Sequence, residues 1–318
     1  MLQIVAPVFL VVLAGYVFGR MNAVSAEAEK LLNTYVLYVA LPALLFLPVA
    51  QASPSDLARV DFVVATLSGI VLAYLLGVWT ARRKGAKGAA VSLVGMGACY
   101  GTTGYMGIPI LIAAYGAEAA VPAAIATVLH NVPVIMAVII SHEVGRVQGG
   151  GGIGRTVFSA FSTTLRNPLT LAVLAGAVFS VLRVPLPEML RSFAAFLGNA
   201  AGPTALFALG LGLAKIRLSA EVLRETSGWL TPVVLVKLIV QPLVTALVLM
   251  LCFGAREGVW FATAIIMAAQ PVGAGVYVFA SRYGFFARES SMAIVISLLV
   301  GMGSMTLLLE LLASAAQG

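Results

Sequence analysis

The sequence predicts an all-α membrane protein in which ten transmembrane helices form two inverted five-helix repeats, with helices 4 and 9 broken and crossing. Three observations carry that prediction. The first is composition: 61% of the 318 residues are hydrophobic and 10% are charged, with a mean hydropathy of +1.05. A soluble domain is about 25% charged, so the chain is polytopic in a bilayer. The second is spacing, because apolar runs of near-membrane length recur along the chain between polar loops. The third is a pair of glycine–proline breaks inside two of those runs, Gly101-Thr102-Thr103-Gly104-Tyr105-Met106-Gly107-Ile108-Pro109 and Gln270-Pro271-Val272-Gly273-Ala274-Gly275. At membrane depth, non-helical backbone is tolerated only where protein buries it or it lines a polar cavity. Two such breaks, one per half, point to the binding site of a secondary transporter.

A spanning helix takes about 20 apolar residues, with a range of about 17–25. The segments are 4–18, 31–50, 62–80, 91–114, 121–140, 168–182, 193–213, 230–253, 259–280 and 292–312. The first and sixth fall short, so their helices extend into flanking residues. Segment 1 is a membrane helix rather than a leader, since a leader carries positive charge ahead of its apolar core and here Arg20 follows it. Segment 2 holds Asn33 and then Leu41-Pro42-Ala43-Leu44-Leu45-Phe46. Segment 5 carries His130 and Asn131 ahead of Pro133. The loop over 141–167 includes Gly149-Gly150-Gly151-Gly152, a flexible linker composition. It divides the chain into a first repeat over 1–140 and a second over 168–318. In segment 7, the small-residue run over 198–212 permits close helix packing, a subunit surface included.

Basic residues assign the sides. Arg20, Lys30, Arg82, Arg83, Lys84, Lys87, Arg146, Arg155, Arg166, Lys215, Arg217, Arg224, Arg282 and Arg288 lie in or beside the odd-to-even loops. The alternate loops hold only Arg59, Arg183, Arg191 and Arg256. Positive residues favour the cytoplasmic side, which places the linker loop in the cytoplasm and both termini outside. The formal charge of +7 is therefore a topology signal, and nucleic acid is not an expected partner. The halves look related: Leu41-Pro42 and Leu45-Phe46 of segment 2 match Gly202-Pro203 and Leu206-Phe207 of segment 7. Tyr115-Gly116 after the first break matches Tyr283-Gly284 after the second, at a similar offset. Five helices is an odd number, so the second copy inserts upside down, the inverted-repeat plan of secondary transporters.

In that plan the broken middles cross near the bilayer centre. Each half-helix that begins after its break offers free N–H groups and a positive dipole end. Such a site favours an anion, for example a carboxylate. Pro109 suits a first helical turn, where its missing N–H costs nothing. The candidate binding residues are Thr102, Thr103, Gly104, Tyr105, Gly107 and Pro109 at the first break. Gln270, Pro271, Val272, Gly273 and Gly275 supply the second, and Asn33 joins them from helix 2. The bland alternative is that Gly and Pro merely kink membrane helices.

Lys237 is the one charge well inside an apolar span. It acts as an internal cation, fixed or titrating, unless it snorkels to the interface. His130 is a proton shuttle or a hydrogen-bonded structural residue, with Asn131 beside it. No cofactor or metal site is expected: Cys99 and Cys252 make no CxxC, and no Walker A motif is present. An intramembrane enzyme needs a nucleophile–base pair or metal ligands at helix depth. The chain offers only His130 and His142, with no HExxH and no deep carboxylate pair. A membrane ligand sensor shares the cavity of a carrier and remains the alternative reading.

These residues resemble the auxin efflux carrier family, which includes plant PIN-type carriers and bacterial malonate-type permeases. The resemblance spans nearly the whole chain. It rests on Asn33 through Leu41-Pro42-Ala43-Leu44-Leu45-Phe46, Gly104-Tyr105-Met106-Gly107-Ile108-Pro109, Arg166-Asn167-Pro168, Gly202-Pro203 with Leu206-Phe207-Ala208-Leu209-Gly210, Lys237-Leu238 with Pro242, and Pro271 with Tyr283-Gly284. It implies ten helices, a scaffold of helices 1, 2, 6 and 7 that forms a homodimer, and a mobile unit of helices 3–5 and 8–10. It further implies elevator-type carriage of a small organic anion across the cytoplasmic membrane. In the plant carriers an asparagine in each crossover helps hold the substrate carboxylate. The matching positions here are Thr102 and Gly275, so neither amide is present, which argues against auxin itself. Thr102 and Thr103 retain hydroxyl donors, and Gln270 carries an amide nearby.

Overall fold

The computed structural model describes residues 2–21, 23, 25–146, 162, 166–215 and 220–315. The Gly149–Gly152 linker, Arg155 and Arg217 lie outside those residues. Helices are α1 (Leu2–Arg20), α2 (Ala26–Tyr35), α3 (Leu41–Gln51), α4 (Pro54–Leu57), α5 (Val60–Arg83), α6 (Ala89–Cys99), α7 (Ile108–Tyr115) and α8 (Ala120–Arg146). They continue as α9 (Pro168–Val181), α10 (Glu188–Asn199), α11 (Ala201–Ala214), α12 (Ala220–Leu235), α13 (Gln241–Phe253), α14 (Val259–Ala268), α15 (Gly275–Tyr283) and α16 (Ala287–Ala315). Six stretches are long and apolar enough to cross a membrane: Glu27–Gln51, Pro54–Arg83, Thr103–His142, Glu188–Ala214, Leu223–Phe253 and Ala287–Ser314. Shorter apolar helices are Ala6–Arg20, Ala90–Cys99, Pro168–Val181 and Val259–Ala268. The chain is thus a multi-pass, all-helical membrane protein. Helices dominate because lipid offers no partner for a free N–H or C=O, so each segment must satisfy its own backbone.

Prolines shape the long helices. π-Helical turns over Val36–Ala40, Thr103–Gly107 and Val236–Val240 each end two residues before a proline: Pro42, Pro109 and Pro242. A proline has no N–H and its ring clashes with the carbonyl of the preceding turn. Widening that turn to i→i+5 removes the clash and keeps the chain helical. Ends are marked as the sequence requires. Ser53 and Asp56 form a capping box at α4. The Asn167 side chain accepts from Leu169 N at 2.9 Å, with Pro168 at the first turn of α9. Gly254 and Gly284 stop α13 and α15 in the left-handed region, at φ +67° and +71°.

Two packing groups surround the core. In one, α1 lies on α11 so closely that a Cβ on Gly15 or Gly210 would run into the partner backbone at Phe207 O or Val12 O. There α3 packs on α9 and α10: a Cβ at Gly176 would stand 2.9 Å from Phe46 O, and one at Gly198 3.0 Å from Leu44 Cα. Ser180 Oγ donates to Ala52 O at 2.7 Å, and Phe46 meets Phe179 edge-on. The small-residue run is therefore used within the chain at Gly198 and Gly210. In the other group α5 packs between α6 and α13, with Gly77 against Ala98 and Gly69 against Thr245. Here Phe62 stacks edge-on against Trp260, which also carries the Arg59 guanidinium 5.0 Å over its ring.

Candidate functional site

α6 ends at Cys99, and Tyr100 turns extended, at φ −85° and ψ 119°. Beyond Ala268 the second broken helix likewise unwinds until α15 starts at Gly275. The two unwound strands lie side by side, with Gly101 paired antiparallel to Val272. Thr102 N donates to Pro271 O and Gly273 N to Tyr100 O, both at 3.0 Å. Thr102 Oγ1 reaches the same Pro271 carbonyl at 3.4 Å. Val272 N finds Ser297 Oγ of α16 at 2.9 Å. Each break thus satisfies backbone groups of the other, which is how non-helical chain persists where water is absent.

Beside this crossing opens a cavity of about 920 Å³, within the range of small-molecule sites. Its wall includes Tyr100 through Tyr105 from the first break and Gly273 through Gly275 from the second. Asn33, Thr127 and Asn131 complete the polar lining near the crossing. Asn131 is held firmly: Nδ2 donates to Thr127 O at 2.6 Å and to Thr103 Oγ1 at 3.4 Å, while Oδ1 accepts from Tyr100 Oη at 2.6 Å. Tyr105 Oη points to Asn33 Oδ1 at 3.4 Å. The N-terminal turn of α15 lies in the same wall; Val276 N is bonded there to Gly273 O at 3.0 Å, and the other first-turn N–H groups precede the first helical bond. Glu29, Lys215, Asn167 and Arg288 line the cavity away from the crossing, with Glu29 ion-paired to Lys215 and Arg288 to Glu225 at 2.8 Å. A second space of about 470 Å³ shares Glu29, Asn33, Leu37, Tyr105 and Lys215 with the first, widening that end.

Of the residues singled out from sequence, Thr102, Thr103, Gly104, Tyr105, Gly273, Gly275, Asn33 and Asn131 line one cavity. Gly107, Pro109, Gln270, Pro271, Val272, His130 and Lys237 do not line it. They stand behind it. A Cβ on Gly107 would press on Met267 Sδ, and Pro109 packs on Gly202. Gln270 Nε2 donates to Ile266 O at 3.1 Å, and its Oε1 is unpartnered. His130 is buried, with Nδ1 against Ala126 O at 2.9 Å. Lys237 is buried, with Nζ donating to Ala268 O. Sequence reading missed Tyr100, Thr127 and the Glu29, Lys215 and Arg288 group. Tyr100 had a signal in its place beside Gly101, where the last residue before a break faces the opposing strand. The charged group had none, because its members come from α2, the end of α11 and the start of α16, far apart in sequence.

A multi-pass helical protein whose two broken helices pair backbone to backbone beside a largely apolar cavity with a few convergent polar groups has the architecture of the membrane transport proteins. The family model described as "Membrane transport protein" matches residues 1–147 and 155–309, so the chain belongs to that family and is a membrane transporter. This bears out the auxin efflux carrier resemblance. The chain is 31% identical to the "Putative malonate transporter" of Rhizobium meliloti, over 98% of this chain and 96% of the relative. It is 25% identical to the "Uncharacterized transporter YfdV" of Escherichia coli K12, over 92% and 91%. An "Uncharacterized transporter" of Methanothermobacter thermautotrophicus is 26% identical over 85% and 84%.

Proposed function

We propose that this chain carries a small organic anion, a carboxylate, across the cytoplasmic membrane. The observation that carries the reading is the wall of the cavity at the crossing. It combines the N-terminal turn of α15 with the Thr103 hydroxyl, which accepts from Asn131 and keeps its own proton for an anion, and with Thr102 Oγ1 and Asn131 Nδ2, whose 3.4 Å bonds to Pro271 O and Thr103 Oγ1 can be exchanged for bonds to the cargo. An amide, absent from the crossover positions, thus stands beside them on α8, with one N–H held only by the long bond to Thr103 Oγ1. The relative named for malonate supports a carboxylate cargo.

The same reading takes the fold as ten spans in two inverted repeats, 1–140 and 168–318. The antiparallel pairing of the breaks supports it, since inverted copies bring their broken middles together in opposite directions. The α1, α3, α9, α10 and α11 group serves as scaffold and homodimer surface, and the crossing with α5, α8, α13 and α16 moves as one elevator unit. With both termini outside, Glu29, Lys215 and Arg288 mark a cytoplasmic mouth and the cavity is inward-open.

A melting screen of mono- and dicarboxylates against the purified protein tests the cargo, because stabilisation grows with ligand concentration over Kd. Flux of the best ligand into proteoliposomes then tests carriage. Saturable uptake of a small dicarboxylate is the expected result. Saturable binding with no flux would make the protein a ligand sensor, and no carboxylate response at millimolar concentration would sink the anion reading.

A further inference from the structure

α6 and α14 approach the crossing with their C-terminal ends. A helix C-terminus carries roughly half a negative charge on its orphan carbonyls, and no water is available there to answer it. In carriers with broken helices, such C-terminal ends and unwound carbonyls hold the coupling cation.

Here a side chain fills that place. Lys237 follows α12 in the widened turn before Pro242, and its Nζ donates at 2.5 Å to the carbonyl of Ala268, the last residue of α14. Gly101, two residues beyond the end of α6, lies against it as well. A Cβ built on Gly101 would lie 3.2 Å from Lys237 Cε and 3.3 Å from Nζ, so the ammonium rests against that strand too. The lysine is 0% exposed, which sets it apart from a snorkelling residue with its head in water. Among the described residues it is the one buried Lys, Arg, Asp or Glu, and none of their ion pairs includes it. The countercharge it touches is therefore the carbonyl end of α14, with the strand that leaves the end of α6 on its other side.

We infer that the Lys237 ammonium is the resident cation of the crossing: it occupies the seat between the two helix C-termini, and transport is independent of sodium. The coupling statement rests on the carrier reading, but occupancy of the seat does not, so the decisive measurement uses no cargo. The purified full-length protein is melted in sodium chloride and in choline chloride at equal ionic strength. Wild type melts at the same temperature in both, and a saturable, sodium-specific rise overturns the inference. Lys237→Met keeps the volume and removes the charge. Its melting temperature falls by roughly 5 °C, and a value equal to wild type also overturns it. Lys237→Ala empties the seat, so methylammonium or sodium restores part of the lost stability and choline does not. Equal response to all three cations counts against the inference. Should the variants fail to fold, the wild-type sodium comparison decides alone.

Discussion

The two strands of the crossing are partners in one short pairing, yet they are built from different chemistry. The first, running through Tyr100, Thr102 and Thr103, brings a phenol and two hydroxyls. The second presents Gly273, Ala274 and Gly275 to the cavity and almost no side chain. One strand is bare because the other lies across it: a Cβ at Gly273 would stand 2.7 Å from the Tyr100 ring and 2.9 Å from Gly101 O, and one at Gly275 2.8 Å from Tyr100 Cε1. On the carrier reading, the first strand together with α8 selects by placed donors, and the second contributes backbone at close range.

On that division the bare strand is the less forgiving. Gly273→Val forces Tyr100 aside and opens the pairing with Gly101, where small misplacements cost about a hundredfold in function. We expect proteoliposome uptake to fall to about 1% of wild type while helical circular dichroism and membrane insertion are retained. Uptake within threefold of wild type would show that the crossing tolerates side chains on both strands, and the comparison would fail.

On the donor side the largest effect is expected at Asn131. Asn131 Nδ2 exchanges its 3.4 Å bond to Thr103 Oγ1 for the cargo, and removing a donor to a charged ligand costs about 1.5–3 kcal/mol, so Asn131→Ala weakens carboxylate binding about tenfold to a hundredfold, read from the ligand concentration needed to raise the melting temperature. Tyr100→Phe is gentler. It removes the phenol that fixes Asn131 Oδ1, but Asn131 keeps its bond to Thr127 O at 2.6 Å. Losing one neutral hydrogen bond predicts about a threefold to tenfold rise in Kd. Equal losses in the two variants would mean that Tyr100 contacts the cargo itself.

How much of this was legible in the sequence follows from what each feature depends on. Membrane class and the location of both breaks were readable, because apolar length and Gly/Pro interruption are local properties. That the breaks meet was inferred from their placement in two halves, and the Gly101–Val272 pairing shows them in contact. The π-helical turns before Pro42, Pro109 and Pro242 were not read, since a proline alone does not say whether its helix kinks, breaks or widens. Within each break, sequence did not separate residues facing the cavity from those behind it. Thr103 and Gln270 are both polar neighbours of a break, yet one lines the cavity and the other turns to Ile266 O and Met305 Sδ. That depends on how two strands distant in sequence stack, which no local pattern encodes. Tyr100 was passed over for the same reason, since its importance comes from lying over glycines about 170 residues away.

The smallest effect is expected where the wall is most exposed. Lys215 and Arg288 place two cations at the end of the cavity away from the crossing, but each already faces a glutamate, Glu29 and Glu225. The Lys215 side chain is 55% exposed, against 18% for Glu29. Exposed pairs contribute about 0–1 kcal/mol to stability, so Lys215→Gln should leave the melting temperature nearly unchanged. Its influence on an arriving anion is through the field at the mouth, which acts on encounter rate and is screened within a Debye length of about 10 Å at 0.1 M salt. Lys215→Gln therefore raises the KM for a carboxylate about twofold at low ionic strength, and the difference vanishes near 0.5 M salt. A loss that persists at high salt would place Lys215 in direct contact with the cargo. Donor chemistry would then extend from the first strand of the crossing to the mouth, and the contrast between the two strands would no longer account for selectivity.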